Sequence, residues 1–213
     1  YIFRNVQDVE IEQKSIAAYL DSLPGRGVLV LRDTENSGYT EPALRHLRKY
    51  LGKGITRTID VSAKALDIPA LRAELTGQSF EVAYILIGGY QSSAAGTLAQ
   101  LLNGLNPSCT IVFTPWVRSQ VLLESAGKAI GKCVLPSHYP ARGTSPVISR
   151  AIDDYKKRFG YAPTYISFNV YGALQILDEA VKNGCRTPDD IRGYILGKKT
   201  FRTKFITVNF RSE

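Results

Sequence analysis

Short apolar runs alternate with amphipathic stretches along the first two thirds of the chain. Ile16, Tyr19, Leu20 and Leu23 recur at helical spacing and predict a helix over about residues 10–23, stopped by Pro24 and Gly25. Residues 27–31 follow as a buried strand ending at Arg32 and Asp33. A loop over 34–39 leads into a helix carrying Ala43, Leu44, Leu47 and Leu51. The unit then repeats. Residues 55–61 alternate as a strand, and Ile68, Leu71 and Leu75 mark the next helix. Residues 82–87 form a strand closed by Gly88, Gly89 and Tyr90, after which Ser92 or Ser93 can cap a helix with Leu98, Leu101, Leu102 and Leu105 on its buried edge. Asn106 and Pro107 break that helix. Residues 109–113 read as another strand, ending at Thr114, Pro115 and Trp116, and a short helix over 119–127 precedes a strand over 132–135. Strands alternating with helices in this way predict an α/β fold: a parallel, Rossmann-like sheet with helices on both faces.

After Tyr139 the texture changes. Residues 140–146 look like a linker, and no strand pattern returns before residue 205. One helix has Ile148, Ala151, Ile152, Tyr155 and Phe159 on a face; the next has Val170, Ala173, Leu174, Leu177 and Val181. A third opens at Thr187 with Pro188 in its first turn, and 205–210 alternates as a strand with one polar face. The expected organisation is an α/β domain over 1–139, helices over 140–200 that lack a sheet of their own, and a closing strand within 201–213. An amphipathic helix must bury its stripe against something. Three coverings are open: a missing N-terminal segment, a second copy in a dimer, or collapse onto 1–139. The first is favoured.

Composition narrows the function. Of 213 residues, 44% are hydrophobic and 22% charged, the balance of an ordinary globular protein. No apolar run approaches the roughly 20 residues of a membrane span. The net charge of +8 raises the question of nucleic acid. Yet Arg45, Arg48, Lys49, Lys53, Arg57, Lys156, Lys157, Arg158, Lys198 and Lys199 are dispersed, and aromatic residues are not interleaved with them as a strand-binding surface requires. No nucleic-acid partner is expected. Cys109, Cys133 and Cys185 show no CxxC and read as small apolar residues, with at most one disulfide among them. His46 and His138 lack metal-ligand spacing, and no Walker loop, GxSxG or GxGxxG occurs. Neither a metal, a cofactor nor a catalytic residue is expected. A Rossmann-like enzyme stands as the rival class on fold analogy alone.

Several segments follow one another in a telling order. Residues 1–5 lead into a helix with Ala17, Ala18, Tyr19 and Leu20; the strand ending at Asp33 is followed by Ser37 and Gly38. Residues 87–90, 113–116 and 138–140 close later strands. Tyr155, Arg158, Phe159, Gly160 and Pro163 fit Y-x-x-[KR]-[FY]-G-x-x-P, and Tyr171 with Ala173 fits Tyr-x-Ala. In this order they resemble the leucine/isoleucine/valine-binding type of extracellular ligand-binding receptor, a type I periplasmic-binding-protein-like family, over nearly the whole chain. The resemblance implies that 1–139 is the second lobe and that 140–200 are helices of a first lobe whose N-terminal sheet is absent. It also implies a periplasmic or extracellular solute-binding protein, serving an ABC transporter or a receptor. Such a protein closes around a small ligand and presents a new surface to a membrane permease or signalling partner.

Ligands of open α/β sheets bind beyond the carboxyl ends of the strands. That rule and the resemblance point to one edge, carrying Ser37, Tyr90, Gln91, Ser92, Ser93 and Trp116. Tyr90 follows two glycines that let the backbone bend, leaving its ring at a cleft mouth. Ser92 and Ser93 either cap their helix or leave its first amides open to an anion. Trp116, the only tryptophan, suits a stacking wall. The resemblance puts Ser37 where the family commonly has a ligand-contacting tyrosine, and Phe168 at an aromatic cleft position on the first-lobe side. It puts Trp116 where amino-acid binders tend to carry an acid that meets the ligand ammonium. A neutral indole brings no charge, so an aromatic or carboxylic solute competes with an amino-acid-like one.

Overall fold

A strand with two apolar faces is stable only when both are covered, and the central strands here are of that kind. A computed structural model describes residues 3–89, 91–139 and 142–210. They form two compact units: Asp8–Pro136, and a second drawn from both ends of the chain, up to Gln7 and from Ser137 on.

In the first unit β1 (Val28–Asp33), β2 (Ile55–Val61), β3 (Val82–Leu86), β4 (Thr110–Phe113) and β5 (Cys133–Val134) make one parallel sheet in the order β2-β1-β3-β4-β5. Alternate residues divide between its faces. Val28, Val30, Val82, Tyr84, Leu86 and Val112 pack with Ile16, Ala17 and Leu20 of α1 (Val9–Ser22) and Ala43, Leu44 and Leu47 of α2 (Ser37–Tyr50). Leu29, Leu31, Ala83, Ile85, Ile111 and Phe113 pack with α3 (Ile68–Leu75), α4 (Ser92–Leu105) and α5 (Gln120–Ala126). Where α4 crosses α5 the approach is close: a Cβ on Gly96 would lie 2.0 Å from Ser125 Oγ and 2.7 Å from the Ala126 nitrogen. The chain runs from β1 out to β2, then returns past β1 to β3. Strand order therefore reverses between β1 and β3, and their carboxyl ends flank the switch point where such sheets bind ligands.

The first unit corrects two details of the sequence reading. The strand expected over 132–135 shrinks to Cys133–Val134, because 127–132 wind into a 3-10 helix after α5. The helix expected after residue 39 begins at Ser37, and two side chains of its first turn and a half point inward. Thr40 Oγ1 donates to the Asp33 carbonyl at 2.7 Å, and the Tyr39 hydroxyl reaches a carboxylate in α1.

The second unit holds α6 (Pro146–Phe159), α7 (Tyr165–Lys182) and α8 (Pro188–Lys198). Where one closing strand was expected within 201–213, the described residues form an antiparallel hairpin of β6 (Thr200–Arg202) and β7 (Thr207–Asn209). Thr203 makes the turn, its amide and hydroxyl both donating to the Ile206 carbonyl at 2.9 and 2.6 Å. Phe201 and Val208 share one hairpin face and pack on Ile176 and Ile195.

Helix α7 is apolar on two sides. Phe168, Gly172, Ile176 and Ala180 are buried in the unit. Ile166, Val170, Leu174, Leu177 and Val181 form a second stripe, each residue 42–59% exposed. A helix apolar on two sides ordinarily lies between two layers, and among the described residues one covers it. No helix among the described residues is long and apolar enough to cross a membrane.

Candidate functional site

Four strand ends of the first unit are tied in two pairs by buried polar groups. Asp33 closes β1, fully buried, and its Oδ1 accepts the backbone N–H of Glu35 and of Ala63, both at 3.1 Å. It thereby fixes the connections leaving β1 and β2. Thr114, after β4, donates its hydroxyl to the carbonyl of Ile87, after β3. Asp33→Ala should cost about 2–3 kcal/mol, because two N–H groups lose their acceptor. Asp33→Asn keeps Oδ1 and should stay within about 1 kcal/mol. Urea unfolding separates the two; an alanine variant as stable as the asparagine one would refute this role.

At the switch point Gly88 leaves room for α2. A Cβ there would stand 2.8 Å from Tyr39 Cδ1 and 3.0 Å from Asn36 Nδ2. Tyr39 in turn meets Trp116 edge-on, with ring centroids 5.9 Å apart and planes at 73°. Both rings direct their polar atom to one carboxylate, that of Glu12 in α1, which is 4% exposed. Its Oε1 accepts from the Tyr39 hydroxyl at 2.5 Å and from Gln13 Nε2 at 2.9 Å, and its Oε2 from Trp116 Nε1 at 3.0 Å. Gln13 Oε1 takes the Tyr84 hydroxyl at 3.1 Å. Burial lifts the Glu12 carboxyl above the usual carboxylate range, against the downward pull of these hydrogen bonds. Burial also holds the Tyr39 and Tyr84 hydroxyls protonated, well above the ordinary tyrosine value. The indole N–H and the phenol O–H are thus engaged with Glu12, and the half-buried rings offer carbon surface.

Trp116 therefore stands at the strand-end edge among other side chains of the same unit. Tyr90 lies outside the described residues. Ser37 is exposed at the start of α2. Gln91, half-buried, is the N-cap residue of α4 and makes no side-chain capping bond. Ser92 and Ser93, expected as caps, are already the first two helical residues, one buried and one exposed, so their hydroxyls sit past the capping position. The first intrahelical bond is Ala95 N–H to the Gln91 carbonyl, and no acid occupies the first turn. Among the described residues no side chain caps the leading amides of α4, which can therefore meet an acceptor. Phe168 belongs to the second unit, buried with Tyr139 at 4.5 Å and Phe205 at 5.1 Å between centroids.

Glu12, Gln13 and Tyr39 were not anticipated. A signal existed: Glu12 and Gln13 precede Ile16 and Ala17 by four positions, so two polar residues sit on the core-facing stripe of α1.

Groups that could do chemistry are muted. All three cysteines are free, and burial pushes the Cys109 thiol up to about 12 and the Cys133 thiol up to about 11. In the second unit burial pulls His138 down to about 4. No group of three His, Cys, Asp or Glu among the described residues could hold a metal ion.

No family model matches the chain, and no curated protein matches it by sequence. Solved structures do. The branched-chain amino acid transporter substrate-binding protein LivJ of Streptococcus pneumoniae, in complex with isoleucine, superimposes with a TM-score of 0.80 at 18% identity, over 94% of this chain and 57% of its own. The fold is that of a type I periplasmic binding protein. The leucine-binding protein LivK of Thermotoga maritima matches with a TM-score of 0.76 at 20% identity, over 90% of this chain and 55% of its own. A benzoate-bound solute-binding protein of an ABC transporter from R. palustris gives 0.76 at 15%, over 99% of this chain and 58% of its own. The chain thus spans a little over half the length of these binding proteins.

Proposed function

We propose that the chain is the ligand-binding part of an extracytoplasmic solute-binding protein rather than an enzyme. It would serve as the substrate-capturing component of an ABC transporter or as the sensor domain of a receptor, in the periplasm or outside the cell. A permease or signalling protein would be its macromolecular partner. One observation carries the reading. At the carboxyl edge of a doubly covered parallel sheet, Trp116 and Tyr39 are fixed edge to face with their polar atoms spent on Glu12. Such a wall selects by carbon contact.

The ligand that fits is a small carboxylic acid with an apolar or aromatic body. Its body would lie on the indole, and its carboxylate would find the uncapped amides at the start of α4, where the helix dipole favours an anion. Among the described residues three donors already engage the Glu12 carboxylate, which favours a ligand that needs no ammonium partner at this wall. Isoleucine and benzoate, held by two of the similar structures, each join a carboxylate to an apolar body.

Titration calorimetry with benzoate and isoleucine tests this on the purified chain. Trp116→Ala should weaken the bound acid by about 1–3 kcal/mol, the scale of an aromatic side chain's buried surface. A nucleotide cofactor that co-purifies, or substrate turnover that requires Asp33 or His138, would sink the reading. Native mass spectrometry of protein purified without added solute would show the physiological ligand directly.

A further inference from the structure

A carboxylate buried to this degree is costly unless its oxygens are occupied, and among the described residues Glu12 has donors from three places. Gln13 comes from α1 itself, Tyr39 from α2, and Trp116 from the 3-10 turn after β4. Tyr84 of β3 joins through Gln13. The distribution over the two oxygens matters. Oε1 takes two donors, whereas Oε2 takes the indole. An ionised carboxylate accepts at both oxygens; an amide, or a protonated acid, turns one side into a donor. The tyrosine and glutamine donors can share one oxygen, so replacing the other with a donor sets N–H against N–H at Trp116.

We infer that Glu12 is the positioning residue of the aromatic wall: its ionised carboxylate holds the Trp116 indole in the orientation that meets the solute. The inference rests on the solute-binding reading for its consequence, though the hydrogen bond itself can be read without ligand. Trp116 is the only tryptophan, so tryptophan emission reports on the surroundings of this one indole. Gln13 and Trp116 do not titrate in the acid range, and burial keeps Tyr39 and Tyr84 protonated well above it.

In the 213-residue chain, Glu12→Gln should change the Trp116 emission maximum and raise its acrylamide quenching constant about twofold, with the circular dichroism spectrum unchanged. Wild-type emission should show an acid titration step with its midpoint above 4.5, the ordinary glutamate value, and the variant should lack it. Benzoate affinity should fall about tenfold in Glu12→Gln, which corresponds to about 1.4 kcal/mol. In a Trp116→Phe background, which has no N–H to lose, the same substitution should change affinity by less than about twofold. Emission that is the same in wild type and Glu12→Gln and flat through the acid range overturns the proposal. So does an equal affinity loss in the Trp116→Phe background, the mark of a merely structural role. The wild-type titration needs no variant and decides the matter if Glu12→Gln fails to fold. If the emission effects appear but neither benzoate nor isoleucine binds wild type, the positioning stands and the ligand assignment falls.

Discussion

Replacing Gly96 by alanine should destabilise the first unit by about 3 kcal/mol, the upper range for forcing a methyl group into a packed interior. The new Cβ would meet Ser125 Oγ at 2.0 Å, the Ala126 nitrogen at 2.7 Å and the Ser125 carbonyl carbon at 2.8 Å. Two of these are backbone atoms and cannot turn aside. The hydroxyl is no freer, since it donates to the Val121 carbonyl at 2.7 Å. Helix α5 would have to retreat from α4, opening the contacts of Leu122 and Ala126, both fully buried. Gly104 of the same helix provides the control, because a Cβ there meets nothing within 4 Å. Gly104→Ala should be neutral or stabilising by about 0.5–1 kcal/mol through helix propensity. Urea unfolding followed by circular dichroism measures both, and equal effects would show that the α4–α5 crossing is not what constrains Gly96.

The second large effect concerns α7. Ile166 to Val181 is a stripe roughly 22 Å long at 1.5 Å per residue. Its five apolar side chains, with Tyr171 nearby, leave on the order of several hundred Å² exposed, more than soluble monomers ordinarily carry in one patch. The 213-residue chain by itself should therefore self-associate at micromolar concentration and bind a hydrophobic dye. Val170→Lys together with Leu174→Lys should return it to a monomer with little dye binding. Because these two positions are 53% and 59% exposed, the substitutions should leave its unfolding free energy within about 0.5 kcal/mol. In a longer polypeptide that supplies a second apolar layer, the same lysines should destabilise instead. Sedimentation velocity decides the first point; a monodisperse wild-type monomer that ignores the dye would defeat it.

Much of the first unit was legible because its physics is local. Val28 to Leu31 and Val82 to Ile87 are apolar at every position, which in strands means cover on both faces. Trp116 was legible as the lone tryptophan after Thr114 and Pro115 at a strand end. What escaped depends on partners distant in sequence. Glu12 looks like an ordinary acid near a helix start, and only the folded chain brings it to Tyr39 and Trp116, 27 and 104 positions away. Tyr39 follows Ser37 and Gly38 and precedes Pro42, a run that reads as loop, yet all of it is helical in α2. The β6–β7 hairpin turns through Thr203 and Lys204 without glycine, asparagine or proline to announce it. The serines of α4 were misplaced by a single residue. That shift is within the usual uncertainty of a helix boundary, and it separates a capped end from an open one.

The second unit is assembled from the two ends of the chain, and that has a consequence for the order of events at the ribosome. Asn5 donates through Nδ2 to the carbonyl of Asn169, 164 positions later, at 2.6 Å, and the rings of Phe3 and Phe210 stack edge-on at 5.5 Å. The first contact cannot form until Asn169 has emerged, nor the second until Phe210 has. Asp8–Pro136, by contrast, is continuous and can condense before the residues that follow it have been made. Once it has folded, Asp8 and Pro136 are anchored in one rigid body, and the loop that Asn5 and Asn169 must close is effectively far shorter than 164 residues. The α/β unit thus acts as a template for the closure of the other.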